Sequence, residues 1–279
     1  MIVRCHGARG SIPISGSQYN KYGGDTTCIE IRSSGDDIII VDAGTGIRRL
    51  GNKLLAEGRY EYTMLFTHTH MDHIFGFPFF RPIYNERSMI HLKGCPTAQG
   101  NVKKLLSRSM QAPLFPVPFN SLKARLEFDP DCQVSFKIGT IEIEFIPLSH
   151  PNLGVGYRFS ENGKSFVFLT DNELGHRHRG GKTFEEYADF SRGADLLFHD
   201  AEYTSQQYTL TRTWGHSTCN EALDLAMDAG VRIFGLFHHN QDRTDKELDE
   251  LVADCQRTAE SRGRDISCFA VSQTFEMEL

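Results

Sequence analysis

The sequence predicts a single α/β domain built on mixed sheets, and three observations carry that reading. Short β-branched and aromatic runs recur along the chain, most of them bounded by Gly, Asn, Asp or Ser. Helical patterns are interspersed among these runs rather than gathered at one end. No internal repeat, low-complexity tract or linker divides the 279 residues, so the domain is taken as 1–279.

The elements follow in order. Met1 to His6 reads as a first strand and lacks the apolar stretch of a signal peptide. Ile29–Arg32 and Ile38–Val41 read as paired strands across Ser33-Ser34-Gly35-Asp36. The second runs into Asp42-Ala43-Gly44-Thr45-Gly46, and a helix follows from Ile47 to Glu57 with apolar positions at Ile47, Leu50, Leu54 and Leu55. Tyr62–Phe66 is a short buried strand. Pro113, Pro116 and Pro118 interrupt any long element in the middle, which reads as irregular. Val134–Phe145 alternates as a hairpin through Ile138-Gly139-Thr140, and Gly156–Phe159 pairs with Ser165–Leu169 across Glu161-Asn162-Gly163. Ala194–Phe198 is one more strand. A helix from Thr218 to Ala229 opens with a Thr cap and Glu221 three residues on. Strand Ile233–Phe237 delivers His238 and His239, and a last helix spans Asp245 to Arg262.

Composition narrows the classes. Hydrophobic residues make up 39% and charged residues 24%, enough for a sizeable core and unlike a disordered chain. No apolar run approaches the roughly 20 residues that span a bilayer, and a cytoplasmic protein is expected. The formal net charge of −6 argues against a dedicated nucleic-acid binder. Lys103, Lys104 and Arg108 make one local basic cluster, which a solvated helix face explains equally well. Seven cysteines without a C-x-x-C pair read as buried reduced thiols, not as a structural zinc knuckle.

The chemistry concentrates in His68-Thr69-His70-Met71-Asp72-His73, directly after a strand. A rigid strand end fixes where ligands on the following loop point. Imidazole suits zinc and iron, and a carboxylate also suits manganese; zinc is expected first, with manganese or iron as alternatives.

This motif resembles the signature of the metallo-β-lactamase superfamily, and the likeness extends along nearly the whole chain. Asp42-Ala43-Gly44-Thr45-Gly46 resembles its early strand-end Asp, and Ser149-His150-Pro151, Leu169-Thr170-Asp171 and Leu236-Phe237-His238 match its later positions in order. The resemblance implies a four-layer αβ/βα sandwich of two mixed sheets packed face to face with helices outside. It implies two divalent metal ions, one on His68, His70 and His150, a second on Asp72, His73 and His238, with Asp171 bridging them. Asp42 is either an acceptor for a ligand imidazole N–H or an ordinary turn Asp. His239 is the alternative to His238. His6, His91, His176 and His178 fall outside the pattern, and His199 beside Asp200 stays unassigned.

A further set of residues resembles the ribonuclease Z and cyclic nucleotide phosphodiesterase branch. It comprises Arg9-Gly10-Ser11-Ile12-Pro13, Tyr22-Gly23-Gly24-Asp25-Thr26-Thr27-Cys28, Phe198-His199-Asp200-Ala201-Glu202 and Trp214-Gly215-His216-Ser217-Thr218. The resemblance implies that Asp200, in place of the usual Glu, orients His216, which stabilises the charged phosphorane or protonates the leaving oxygen. The bland alternative makes His216 only a helix-start residue. Asp72, His216 and Asp200 are thus the expected catalytic residues. Two departures direct the substrate reading. True β-lactamases place Cys where Asp171 stands or lack the acid after the second His. Ribonuclease Z carries a long basic arm between the His and the bridging Asp, whereas a single hairpin separates His150 from Asp171. The expectation is a metal-dependent phosphodiesterase acting through a hydroxide shared by two metals on a small phosphodiester, a 3′,5′-cyclic nucleotide first. No stable nucleic-acid complex is expected, and the branch implies a homodimer. The alternatives are a ribonuclease Z-like RNA 3′-end nuclease, a glyoxalase-type thioester hydrolase, disfavoured because only about one helix and one strand follow His238, and an oxygen-binding member without hydrolytic activity. Phe75–Phe80 and Pro113–Pro116 are read as core, base-pocket wall or dimer contact.

Overall fold

Alternation decides which face each strand buries. In β3 (Ile38–Val41), Ile39 and Val41 point to one side and Ile38 and Ile40 to the other, and all four are buried. A strand buried on both faces belongs inside a layered structure. A computed structural model describes residues 1–93, 102–129 and 135–279. It has two seven-stranded mixed sheets, each closed on its outer face by helices.

The first sheet contains β1 (Ile2–Gly7), β2 (Cys28–Arg32), β3, β4 (Glu61–Leu65), β5 (Met89–Lys93), β6 (Arg125–Asp129) and β14 (Glu276–Glu278), in the order β14-β1-β2-β3-β4-β5-β6. The second contains β7 (Ser135–Ile138), β8 (Ile141–Pro147), β9 (Val155–Glu161), β10 (Lys164–Leu169), β11 (Leu196–Asp200), β12 (Ile233–Phe237) and β13 (Ser267–Ala270), in the order β13-β12-β11-β10-β9-β8-β7. Each sheet is antiparallel along one half and parallel along the other.

Three cores separate the four layers. Ile39, Val41, Ile143, Phe166, Phe168, Phe198 and Phe237 fill the space between the sheets. Outside the first sheet lie α1 (Ile47–Ala56), the short α2 (Met71–Ile74) and α3 (Val102–Ser109), whose Ile47, Leu50, Ile74 and Leu106 meet Ile38 and Ile40. Outside the second lie α4 (Phe184–Phe190), α5 (Ser205–Thr211), α6 (Cys219–Asp228) and α7 (Asp245–Ser261). Tyr187 of α4, Leu223 of α6 and Cys255 of α7 pack there against Val167 and Leu169. The αβ/βα sandwich expected from the sequence is what the chain adopts.

Several elements depart from expectation. The middle is not wholly irregular: β5, α3 and β6 are formed, and the proline-bearing stretch between α3 and β6 lacks a long element. β11 begins and ends two residues later than expected, because its ladder to β12 pairs His199 with Leu236 and Asp200 with Phe237. Two strands, not one, follow His238, and they extend both sheets. The α6 capping box forms as expected from Thr218 and Glu221. Val134, Cys95 and Cys132 lie outside the described residues; Cys5, Cys28, Cys219, Cys255 and Cys268 are buried free thiols. Among the described residues no helix is long and apolar enough to cross a membrane. On α3, Lys103, Lys104 and Arg108 lie on the exposed face while Leu106 is buried.

Glu30 is the one acidic residue of β2, and its carboxylate is fully buried. It accepts from His6 Nε2 at 2.9 Å, Arg32 Nε at 2.5 Å and Lys53 Nζ at 3.3 Å. Burial opposes its charge, but His6, Arg32 and Lys53 outweigh burial and lower its pKa from 4.5 to about 2. A pKa depressed in the folded state gives stability that is present above pH 4.5 and lost as pH falls through about 2. Glu30→Gln is therefore expected to cost about 3 kcal/mol at pH 7, with the gap to the parent closing toward pH 2. Denaturant unfolding across that range checks it; a gap independent of pH would remove the electrostatic explanation.

Candidate metal centre

Six strand C-termini converge on one edge of the sandwich. β3 leads to Asp42, β4 leads to His68, His70, Asp72 and His73, and β8 leads to His150. β10 leads to Asp171, β11 ends at Asp200, and β12 leads to His238. Asp42, Asp171 and His238 all turn away from their strands with positive φ, at 62°, 50° and 57°. Such backbone costs of order 1–3 kcal/mol per residue and persists where the surroundings dictate it.

The side chains form two groups that share one carboxylate. Ligand atoms of His68, His70, His150 and Asp171 lie within 4.8 Å of one another, as do those of Asp72, His73, Asp171 and His238. Asp171 Oδ1 lies 3.1 Å from His73 Nε2, and its Oδ2 lies 3.4 Å from His68 Nε2 and 3.3 Å from His238 Nε2. Asp72 Oδ2 lies 3.3 Å from His73 Nε2 and 3.2 Å from His238 Nε2, and it accepts from the Ser11 backbone N–H at 2.9 Å. All seven metal-site residues expected from the sequence are thus brought together.

The outward nitrogens are already engaged. His73 Nδ1 meets Asp42 Oδ2 at 2.8 Å, His150 Nδ1 meets the Gly215 carbonyl at 2.9 Å, His68 Nδ1 meets Thr67 Oγ1 at 3.1 Å, and His238 Nδ1 meets Glu202 Oε2 at 2.9 Å. These partners fix each ring and leave Nε2 facing inward. Nε2 of His68 and of His73 is buried with no hydrogen-bond partner among the described residues. Buried polar atoms ordinarily find partners, and imidazole nitrogens paired with carboxylates form a donor set for divalent cations. The residues present fit two such ions.

Electrostatics point the same way. Burial opposes charge on His73, but Asp171, Asp72 and Asp42 outweigh it and raise its pKa well above 6.5. Burial likewise opposes charge on Asp171, and His238, His73 and His68 outweigh it and hold its pKa well below 3.8. On His68, burial and the neighbouring His73 drive the pKa far down. The carboxylates demand positive charge at this point, which protons or metal ions can supply.

Beside the clusters stands a third group. His216 Nδ1 meets Asp200 Oδ2 at 2.6 Å, and its ring stacks on His238 at 4.6 Å. Burial opposes its charge, but Glu202 and Asp200 outweigh it and raise its pKa to about 9. Glu202, not singled out from the sequence, binds His238 and lies 3.4 Å from His216 Nδ1. Two glycines are dictated by contact: a Cβ on Gly10 would sit 2.2 Å from His238 Nδ1, and one on Gly215 would sit 2.1 Å from His150 Nδ1.

The remaining histidines separate cleanly. His239 donates from Nε2 to the Val271 carbonyl and joins neither cluster, so His238 is the one that faces the centre. His199 donates to the Asp200 carbonyl and accepts from Asn172 Nδ2. Burial lowers its pKa to about 4, which leaves it neutral. His6, His91, His176 and His178 lie outside both clusters. The aromatic insert divides: Phe77 and Phe80 are core, while Phe75, Phe79 and Leu114 are exposed, and the Phe79 ring meets Phe115 edge-on.

Residues 38–239 match the β-lactamase superfamily domain. The chain belongs to the metallo-β-lactamase superfamily. It is a hydrolase of that family. Ribonuclease Z of Haloarcula marismortui is 28% identical over an alignment covering 90% of each chain. Among solved folds, unliganded yeast PDE1 superposes with a TM-score of 0.68 at 16% identity, covering 100% of this chain and 99% of the other. A diphosphatase from the PhnP family superposes with a TM-score of 0.69 at 16% identity, covering 100% and 97%. Both show a shared sandwich.

Asp42 also accepts from the Thr67 backbone N–H and from Thr67 Oγ1, so it locks the start of the histidine loop as well as His73. Asp42→Asn is expected to weaken one of two metal sites by about 10–100-fold and leave the His68, His70, His150 site nearly unchanged. Chelator competition with metal counting reads this. Equal weakening of both sites, or none, would contradict the assigned role.

Proposed function

We propose that the protein is a binuclear phosphodiesterase acting on a small phosphodiester, a 3′,5′-cyclic nucleotide first. The observation that carries this reading is His216: a buried imidazole outside the proposed ligand set, oriented by Asp200 at 2.6 Å and placed against His238. His68, His70 and His150 would hold one divalent ion, zinc first with manganese or iron as alternatives, and Asp72, His73 and His238 a second, with Asp171 between them. When bound, the ions supply Lewis acidity and lower the pKa of water.

The chain's own groups do the rest. Asp42, Thr67, Gly215 and Glu202 hold the four imidazoles in orientation. Asp72, fixed by the Ser11 amide, holds its carboxylate against His73 and His238, where it would take up a proton from the attacking water. Hydrolysis forms one bond from water oxygen to phosphorus and breaks the bond from phosphorus to the ribose 3′-oxygen. That leaving oxygen departs poorly as an alkoxide and needs a proton. With Nδ1 committed to Asp200 and a pKa raised to about 9 by Glu202 and Asp200 against burial, His216 carries a proton on Nε2 at neutral pH.

Substrate size follows from the short connection between His150 and Asp171, which holds only the β9–β10 hairpin. Together with the net charge of −6, this favours a small anion over RNA. A second reading, RNA 3′-end cleavage, draws on the relatives named ribonuclease Z. A cytoplasmic location suits the buried free thiols, and a homodimer is the proposed assembly.

His216→Ala should keep its metals and lose about 10²–10⁴-fold in turnover of a cyclic mononucleotide, the scale of a lost general acid. The loss on bis-nitrophenyl phosphate should be far smaller, because nitrophenolate leaves without a proton. Equal losses on both would make His216 a phosphate-binding or structural group. Faster cleavage of precursor tRNA than of any cyclic nucleotide by the parent enzyme would transfer the assignment to the second reading.

A further inference from the structure

A pocket of about 470 Å³ opens beside the metal centre, lined by His150, Pro151, Asn152, Leu153, His178, Arg179 and Gly180. His150 belongs to both the pocket and a metal cluster, so whatever fills the pocket lies next to the reacting group.

Its two walls are tied together. Ser149 Oγ donates to the His176 carbonyl at 2.7 Å and accepts from the His178 backbone N–H at 2.9 Å. Glu173, buried, accepts from His178 Nε2 at 2.7 Å, from Tyr208 Oη at 2.7 Å and from the backbone N–H groups of Thr213 at 2.7 Å and Gly215 at 2.8 Å. The same carboxylate therefore holds the pocket wall and the turn that carries Gly215 and His216. The opposite wall is strained: Asn152 and Leu153 have φ of 66° and 69°. Leucine rarely adopts that conformation, and residues held so cluster at ligand sites.

The lining is mixed in a way that selects its ligand. Pro151 and Leu153 give apolar walls, on which a flat ring gains contact and a bare anion would lose hydration. Arg179 is exposed at the mouth, and its guanidinium has no hydrogen-bond or ion-pair partner among the described residues. A guanidinium fork matches two adjacent acceptors, such as O6 and N7 of guanine, whereas adenine offers an amino donor where guanine has its carbonyl. We propose that this pocket receives the nucleobase of the substrate and that Arg179 selects a base with a carbonyl acceptor, guanine before adenine. The inference rests on the cyclic nucleotide reading above and adds base specificity to it.

Nucleosides, which lack the scissile phosphate, separate the two claims. Equilibrium binding of guanosine and of adenosine to the metal-loaded protein can be followed by ligand-observed NMR. Guanosine is expected to bind on the order of tenfold more tightly than adenosine. Arg179→Ala, a change at an exposed side chain, should weaken guanosine and bring the two within about twofold. Equal binding by the parent protein, a preference that survives in Arg179→Ala, or no saturable binding of either nucleoside would overturn the pocket assignment. If the preference holds while no cyclic nucleotide is hydrolysed, the reaction assignment fails and the pocket stands.

Discussion

Asp171 is the point on which the site depends. Its two oxygens face His73 at 3.1 Å, His238 at 3.3 Å and His68 at 3.4 Å, and all four side chains are buried. A carboxylate so placed has given up its hydration and must be repaid by positive charge. Asp72 adds a second such demand beside it, and Asp42 a third behind His73. Two cations sharing Asp171, as proposed, would supply that charge, and the shared anion would reduce their mutual repulsion. Asp171 is the carboxylate common to both groups, whereas Asp72 and Asp42 act on the side of His73.

The sandwich exists to bring six strand ends to that point. Phe166, Phe168, Phe198 and Phe237 pack between the sheets and hold β10, β11 and β12 in register. Their C-termini then present Asp171, Asp200 and His238 within reach of the loop after β4. Positive φ at Asp42, Asp171 and His238 turns each chain sharply at the moment it leaves the sheet. The three cores supply the stability that this strained rim draws on. The same logic extends outward: Glu202 steers His238, Gly215 steers His150, and Glu173 fixes the turn bearing Gly215 and His216.

The histidine motif, which contributes to both clusters, was legible because His68, His70, Asp72 and His73 are close neighbours along the chain and follow an apolar strand. His150, Asp171 and His238 were legible only through resemblance to a family pattern, since their proximity comes from sheet topology. Glu202 was named only within a motif and its role was missed, because it is 36 residues from its partner His238 and the parallel pairing of β11 with β12 unites them. Glu173 was hidden for the same reason, being 42 residues from the Gly215 amide it accepts from. Among the elements, α4 and α5 went unread although Thr183 with Glu186 and Thr204 with Gln207 form capping boxes. Both helices have only seven residues, too few for an apolar period to stand out. β5 and β6 lie at the edge half of their sheet, where partial exposure dilutes the apolar run that marks a buried strand.

The central claim is that Asp171 joins two cations on one chain. Counting bound divalent ions by elemental analysis, on the purified protein and on Asp171→Ala, tests it most directly. Two ions per chain are expected in the parent protein and at most one in the variant, because losing the shared anion exposes the cations to each other. Two ions retained in Asp171→Ala would contradict it.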